Sequence, residues 1–188
     1  RNNITALIPP DEYPRGLSVG CAGAEAIMLG NKGYKIVGVD VNPADVEVTR
    51  NKGFEAFRMD AHDLHFPNES FDCAFTHHCF EHLHIPWLGV LELWGVMKPD
   101  GLLLFVVPPF NGEKSGINQA QGMHESHSSC LHEEQWKAIF VRFGFELVSD
   151  HILGDPKVSG HMAMLFRRQA FEDTIPNCRF FMSERLRI

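Results

Sequence analysis

Short apolar segments rich in β-branched residues alternate with segments of helical periodicity along most of the chain. Residues 35–41 (KIVGVDV) form a nearly continuous apolar run, as expected of a strand buried on both faces of a sheet. Helices are predicted where amphipathic segments begin at proline or acidic residues and end at glycine. The predicted strands are residues 17–20, 35–41, 55–60, 71–76, 102–107, 145–152 and 161–168. The predicted helices are residues 24–29, 43–51, 86–97 and 133–143.

The order of these elements predicts the fold. Strand and helix alternate up to the fifth strand, the pattern of a doubly wound, mostly parallel α/β sheet. The segment 153–160 between the last two strands is too short for a crossover helix, so these strands are expected to pair antiparallel. The sequence therefore predicts a Rossmann-like α/β fold with seven strands, mostly parallel with an antiparallel terminal strand. One domain is expected over residues 1–188, with its core at about 17–168.

A second local signal is a turn at residues 98–101 (Lys-Pro-Asp-Gly), just before the fifth strand. Proline presets φ for a turn, and Gly101 is expected to supply a positive φ.

Candidate ligand-binding residues follow the first three strands. In an open α/β sheet, ligands bind beyond the carboxyl ends of the strands. The first strand leads into Gly20-Cys21-Ala22-Gly23, where small side chains allow close approach of a ligand to the backbone. Asp40 ends the second strand and is placed to accept hydrogen bonds from ribose hydroxyls, while Asp60 ends the third strand beside Ala61. Together these residues indicate a cofactor that contains adenosine, although each Asp alone is equally well explained as a helix cap.

The amino-acid composition limits the kinds of partner that the chain is expected to bind. Of the 188 residues, 44% are hydrophobic and 22% are charged, and the formal net charge of -7 argues against nucleic acid as a partner. No apolar run has the length of a membrane span, so none is expected. The five cysteines are dispersed, which favours free thiols and a cytoplasmic location. The tail, residues 169–188, is unpatterned, and a docked arm, a homodimer contact and a frayed end are all open interpretations.

Eleven histidines, many for this length, form two groups of candidate chemistry. The first group follows the fourth strand and the second lies in or just after the long loop: His77, His78, His82 and His84, then His124, His127 and His132. If both groups lie on the carboxyl side of the sheet, they can face one pocket. An imidazole there is a candidate general base for a substrate proton. Metal ligation is a second interpretation, but the spacing matches no recognised zinc motif and no metal is expected.

Five motifs occur in the order of a known enzyme family: LSVGCAGAEA, IVGVDVNP, MDAHDLHFP, FTHHCFEHL and VMKPDGLLLFVVPP. The chain resembles the class I S-adenosylmethionine-dependent methyltransferases, and within them the small-molecule branch that includes quinone-biosynthesis enzymes. The resemblance covers roughly residues 17–168. It implies S-adenosylmethionine as cofactor and methyl transfer to a small-molecule acceptor.

The resemblance also implies a set of site residues. For the cofactor they are Ser18, Gly20, Cys21, Ala22, Asp40, Val41, Asp60, Ala61 and His77. The segment after the fourth strand passes near the transferring methyl group in this family, so the catalytic candidates are His77, His78, His124 and His127. Ser18 stands where the family usually has an acid, and Glu25 is a candidate substitute for that acid.

Two other functions stay open at this point. A nicotinamide-dependent oxidoreductase would carry G-x-G-x-x-G, but Ala22 and Glu25 occupy its second and third glycine positions. A non-catalytic binding relative or partner subunit is suggested by the altered first motif. The long loop, residues 109–130, is expected to act as a substrate lid, since loops of this length in compact domains are commonly functional.

Overall fold

The structure is a computed structural model that describes residues 4–20, 24–109, 127–150 and 161–170. Its helices are α1 (Ile4–Leu7), α2 (Ala24–Gly30), α3 (Pro43–Asn51), α4 (Pro86–Val96) and α5 (Glu133–Arg142). Its strands are β1 (Arg15–Val19), β2 (Lys35–Asp40), β3 (Glu55–Arg58), β4 (Phe71–His77), β5 (Met97–Val107), β6 (Phe145–Asp150) and β7 (Met162–Arg168). A 3₁₀ turn, Phe80–His82, follows β4.

Within the described residues, all these strands form one sheet in the order β3-β2-β1-β4-β5-β7-β6. The first five strands pair in parallel, and β7 pairs antiparallel with both β5 and β6. The predicted fold class and the antiparallel closing pair are therefore confirmed. The chain passes from β1 outward to β2 and β3, then returns to place β4 on the other side of β1. This reversal creates a crevice at the carboxyl ends of β1 and β4.

Apolar side chains cover both faces of the sheet. Along β5, Leu103, Phe105 and Val107 pack into one core cluster, and the alternate residues Leu102, Leu104 and Val106 pack into the other. Residues of α4, α5 and the 3₁₀ turn complete the first cluster, and residues of α2 contribute to the second. A parallel sheet covered on both faces explains why its strands read as continuous apolar runs.

The predicted turn at residues 98–101 lies inside β5 instead of before it. Pairing with β4 jumps from Phe71–Met97 to Cys73–Leu102, so the turn residues form an irregularity in a continuous strand. The positive φ of 62° falls on Asp100, not on the expected Gly101. Glycine is needed at position 101 for space, because a Cβ there would lie 2.8 Å from the Lys98 carbonyl oxygen and 2.9 Å from that of Asp72.

Other boundaries shift slightly. The third strand ends at Arg58 instead of Asp60, and β7 begins at Met162 instead of His161. Among the described residues, no helix is both long enough and apolar enough to cross a membrane. Cys21, Ala22, His124, most of the predicted lid and residues 171–188 lie outside the described residues.

Candidate functional site

A pocket of about 480 Å³ opens at the carboxyl ends of β1, β2 and β4. It lies at the crevice where the strand order reverses, the place where α/β sheets bind ligands. Its lining residues come from the ends of four parallel strands and the segments after them: Val19, Gly20, Val39, Asp40, Val41, Met59, Asp60, Ala61, His62, His77, His78, Cys79, His82, Leu83 and His84. Six of the predicted cofactor residues are thus together: Gly20, Asp40, Val41, Asp60, Ala61 and His77.

Gly20 forms the floor of the pocket at the end of β1. Its φ is +71°, and its N–H donates to the Val39 carbonyl oxygen at 2.9 Å. A Cβ at this position would lie 2.6 Å from Cys79 Cβ and 2.7 Å from Cys79 Sγ. Only glycine therefore fits between β1 and the segment after β4, and its bare backbone faces the pocket.

The turn between β2 and α3 holds the Asp40 carboxylate at the pocket edge. Asp40 Oδ1 accepts a hydrogen bond from the Asn42 N–H at 2.9 Å. Asn42 also caps α3, since its Oδ1 accepts from the Ala44 N–H at 3.1 Å. One residue after Asp40, Val41 is 58% exposed at the pocket mouth, an apolar surface suited to a flat ring.

His62 fixes the carboxylate of Asp60, and sequence reasoning did not identify this histidine. Asp60 Oδ1 accepts from the His62 N–H at 2.9 Å and lies 2.6 Å from His62 Nδ1. His62 Nε2 in turn accepts from the Ile85 N–H at 3.3 Å, so the ring proton is on Nδ1. The backbone hydrogen bond from His62 is the largest cause of the lowered pKa of Asp60, which stays ionised at neutral pH.

Acidic groups surround the thiol of Cys79 beside Gly20. Burial raises the pKa of this thiol, and the negative charges of Glu81, Asp40, Glu25 and Asp60 raise it further. The thiol is therefore protonated and is not a nucleophile. The carboxylates of Asp40 and Asp60, which line the pocket, make it attractive to a cation.

Two hydroxyl groups lie buried in the strands that flank the crevice. Ser18 in β1 is fully buried, and Thr76 in β4 is 1% exposed. Neither hydroxyl oxygen has a hydrogen-bond partner within the described part of the chain. Ser18 does not line the pocket as the structure describes it, so its predicted contact with a cofactor stays a prediction.

A second feature of the pocket is a chain of contacts from Glu81 through His78 to His161. His78 has a φ of +52°, its Nδ1 lies 3.0 Å from Glu81 Oε1, and its Nε2 lies 2.8 Å from His161 Nδ1. The ring of His77 lies 4.6 Å from that of His78 and 5.5 Å from that of His161, centroid to centroid. Sequence reasoning did not place His161 in the site, because no local motif links it to the other histidines.

Desolvation is the main reason why the pKa values of His77 and His161 are lowered. The pKa of His77 falls to about 4, with further lowering from His78 and His161. The pKa of His161 is lowered as well, secondarily by His78. Both rings are therefore uncharged at neutral pH, the form in which an imidazole nitrogen can bind a metal ion.

The structure places His127 apart from the His77–His78 pair. Its ring lies 4.7 Å from that of His82, centroid to centroid, and it lines a small space with Glu81 and Trp136. Ser129 ties this segment to the 3₁₀ turn, since its N–H donates to the Glu81 carbonyl oxygen at 2.9 Å. Of the two histidine groups, the one after β4 lines the large pocket, and His127 lines the smaller space.

Comparison with known proteins matches part of the chain to a family. Residues 17–105 match the family described as a methyltransferase domain, and this region spans β1 to β5 with the pocket residues that follow β1 to β4. The chain is thus similar to methyltransferases over just under half of its length. The cofactor of this family is S-adenosylmethionine. The quinone-biosynthesis-like branch stays a prediction.

One curated relative is similar to the chain in sequence. The chain is 27% identical over 138 residues to YodH of Bacillus subtilis, an uncharacterized methyltransferase. The match covers 69% of this chain and 59% of YodH, so the chain spans less than two thirds of that relative.

Two solved structures show the same fold. An S-adenosylmethionine-dependent methyltransferase from Methanosarcina mazei superposes with a TM-score of 0.68 at 17% identity, over 84% of this chain and 93% of that one. The [4+2]-cyclase SpnF superposes with a TM-score of 0.69 at 18% identity, over 89% and 80% of the two chains. The cyclase shows that this fold also supports other chemistry, so the reaction has to be argued from the site.

The described residues fit the cofactor of the family. Gly20 lines the pocket with backbone alone, since a Cβ there would collide with Cys79. The carboxylates of Asp40, at the end of β2, and Asp60, in the β3–β4 connection, line the same pocket, and both are oriented by backbone N–H groups. These two carboxylates suit the positively charged sulfonium and ammonium groups of S-adenosylmethionine.

Proposed function

We propose that this protein transfers a methyl group from S-adenosylmethionine to a small-molecule acceptor. The observation that carries the proposal is one pocket that is lined by Gly20, by the carboxylates of Asp40 and Asp60, and by the histidines that follow β4. When bound, S-adenosylmethionine supplies an electrophilic methyl group on a sulfonium. The protein has to hold the acceptor in line with that group, exclude water and receive the acceptor's proton.

Each cofactor residue has a proposed role. Gly20 offers its backbone to the methionine part, together with the neighbouring positions Ser18, Cys21 and Ala22. Asp40 accepts hydrogen bonds from the ribose hydroxyls. The adenine lies against Val41 and Ala61, and Asp60 accepts from its amino group. His77 ends β4 and faces the transferring methyl group.

The charge of the pocket separates this proposal from a nicotinamide-dependent oxidoreductase. A dinucleotide carries an anionic pyrophosphate, which normally lies over a glycine-rich turn at a helix N-terminus. Here the carboxylates of Asp40 and Asp60 line the pocket. Such surroundings repel a pyrophosphate and attract a sulfonium.

For the acceptor, we propose contact with His77 and His78. Glu81 holds His78 in the tautomer with its proton on Nδ1, so that Nε2 accepts from His161 Nδ1 at 2.8 Å. A hydroxyl or thiol that displaces His161 from this nitrogen would pass its proton to His78 as it attacks the methyl group. The other predicted catalytic candidates, His124 and His127, are proposed to contribute only if the loop that carries them closes over the pocket.

Calorimetry with S-adenosylhomocysteine and with NAD tests the cofactor, and labelled S-adenosylmethionine with a panel of hydroxyl, thiol and amine acceptors tests the transfer. We expect S-adenosylhomocysteine to bind, NAD not to bind, and label to reach at least one acceptor. Binding of NAD alone would refute the proposal. Cofactor binding with no labelled product from any acceptor would support the non-catalytic relative instead.

A further inference from the structure

Three imidazoles from separate parts of the chain meet at the edge of the pocket. His77 ends β4, His78 follows it, and His161 precedes β7 on the far side of β5. One ring nitrogen of each lies within 4.8 Å of one nitrogen of both others. His78 Nε2 and His161 Nδ1 are 2.8 Å apart.

The spacing is close to that of ligands around one metal ion. Two nitrogens bound to a tetrahedral zinc ion, each about 2.0–2.1 Å from it, lie roughly 3.3–3.4 Å from one another. The nitrogens of His78 and His161 would have to separate by about half an ångström, a shift within reach of small ring rotations. We propose that His77, His78 and His161 bind a divalent transition-metal ion of the zinc class.

Glu81 supplies the partner that a metal-binding histidine usually has. Histidine ligands commonly donate their second ring N–H to a carboxylate, which sets the tautomer and orients the ring. Glu81 Oε1 lies 3.0 Å from His78 Nδ1, and the carboxylate is fixed because Glu81 is only 2% exposed. Its Oε2 is buried and has no hydrogen-bond partner among the residues that the structure describes. A positive ion one imidazole away would offset the cost of burying this charge.

A second group, Glu81, His82 and His127, also brings three ligand atoms within 4.8 Å of one another. The triple-histidine group is favoured because Glu81 Oε1 already lies 3.0 Å from His78 Nδ1. In the first group this carboxylate orients a ligand, as carboxylates beside metal-binding histidines commonly do. In the second group the same carboxylate would have to serve as a ligand itself.

The position of the proposed ion beside the large pocket indicates which further ligand it would bind. His77 and His78 line the large pocket, so a fourth coordination position would face the space proposed for the acceptor. Three protein ligands with one open position are the arrangement of catalytic zinc sites. Resting on the proposed function, we infer an acceptor with a hydroxyl or thiol group that binds the ion as its anion, its proton passing to solvent water on coordination. His78 would then be a metal ligand instead of the base.

Metal binding can be measured without cofactor or acceptor. The full chain, free of any histidine tag and treated with a chelator, is titrated with Zn²⁺ by calorimetry and with Co²⁺ by visible absorption. We expect one equivalent of each, and d–d bands typical of four-coordinate cobalt. We expect His161→Asn and His78→Asn each to weaken binding at least 100-fold, and Glu81→Gln to weaken it roughly 10–100-fold.

Matched variants locate the ion. His65→Ala removes an exposed histidine outside the pocket, and His82→Ala removes one from the second group; both are expected to keep wild-type affinity. Circular dichroism and thermal unfolding check that every variant is folded. No binding by the folded wild type, or unchanged binding in folded His161→Asn, would overturn the proposal. Loss of binding in His82→Ala would overturn it too, by placing the ion in the second group. Because the assay contains no cofactor, its failure leaves the proposed methyl transfer standing, and failure of methyl transfer leaves a bound ion standing.

Discussion

Substituting Gly20 with alanine tests whether the floor of the pocket depends on a missing side chain. The new Cβ would meet Cys79 Cβ at 2.6 Å and Cys79 Sγ at 2.7 Å, distances that require the segment after β4 to shift. The positive φ of +71° costs an L-residue about 1–2 kcal/mol. Overpacking of this kind adds about 1–3 kcal/mol. We therefore expect Gly20→Ala to lower the free energy of unfolding by about 2–5 kcal/mol.

Gly53 provides a matched control. Its φ is +85°, but a Cβ there would have no neighbour within 4 Å. Gly53→Ala should therefore lower the free energy of unfolding only by the cost of the positive φ, about 1–2 kcal/mol. Chemical denaturation of the wild type and both variants gives the two losses, and calorimetry with S-adenosylhomocysteine gives the affinities. We expect cofactor affinity to fall at least tenfold in Gly20→Ala and to stay unchanged in Gly53→Ala.

The comparison has a clear refuting outcome. Equal losses of unfolding free energy in the two variants would mean that contact with Cys79 plays no part. Unchanged cofactor affinity in folded Gly20→Ala would mean that the turn after β1 does not contact the ligand.

Three further predictions address the acids Asp40 and Glu25 and the packing of the last strand. Asp40→Ala should weaken S-adenosylhomocysteine binding by about 1–3 kcal/mol, while exposed Glu47→Ala should leave it unchanged in the same calorimetric titration. Burial raises the pKa of Glu25 to about 7, so its carboxyl favours the folded state when protonated. The free energy of unfolding should then fall as pH rises from 4.5 to 7, by about 1–3 kcal/mol more in the wild type than in Glu25→Gln. Arg168 in β7 is 1% exposed and stacks 3.9 Å above the Trp94 ring. Arg168→Ala should lower the free energy of unfolding, measured in denaturant, by about 3 kcal/mol. A loss below about 1 kcal/mol would mean that this contact does not stabilise the packing of β7.

Local patterns in the sequence were sufficient for the fold. A strand buried on both faces has to be apolar at consecutive positions, and such apolar runs predicted β2 and β5 from the sequence alone. The short connection before β7 excluded a crossover helix, which predicted the antiparallel closing pair. The same logic placed Gly20, Asp40 and Asp60 at one edge, because parallel strands end on the same side of a sheet.

Tertiary structure determined two features that no local sequence pattern predicts. Residues 98–101 have the composition of a turn, but pairing with β4 keeps them inside β5 and moves the positive φ to Asp100. His161 lies far from His78 in the chain and reaches it only because β7 pairs beside β5.

The sequence by itself determined the kinds of groups at the pocket edge, since strand ends and turn residues follow from short-range periodicity and sterics. Which histidines touch each other depended on strand order and register, which long-range packing sets. His78 therefore contacts Glu81 and His161, while His127 packs against His82.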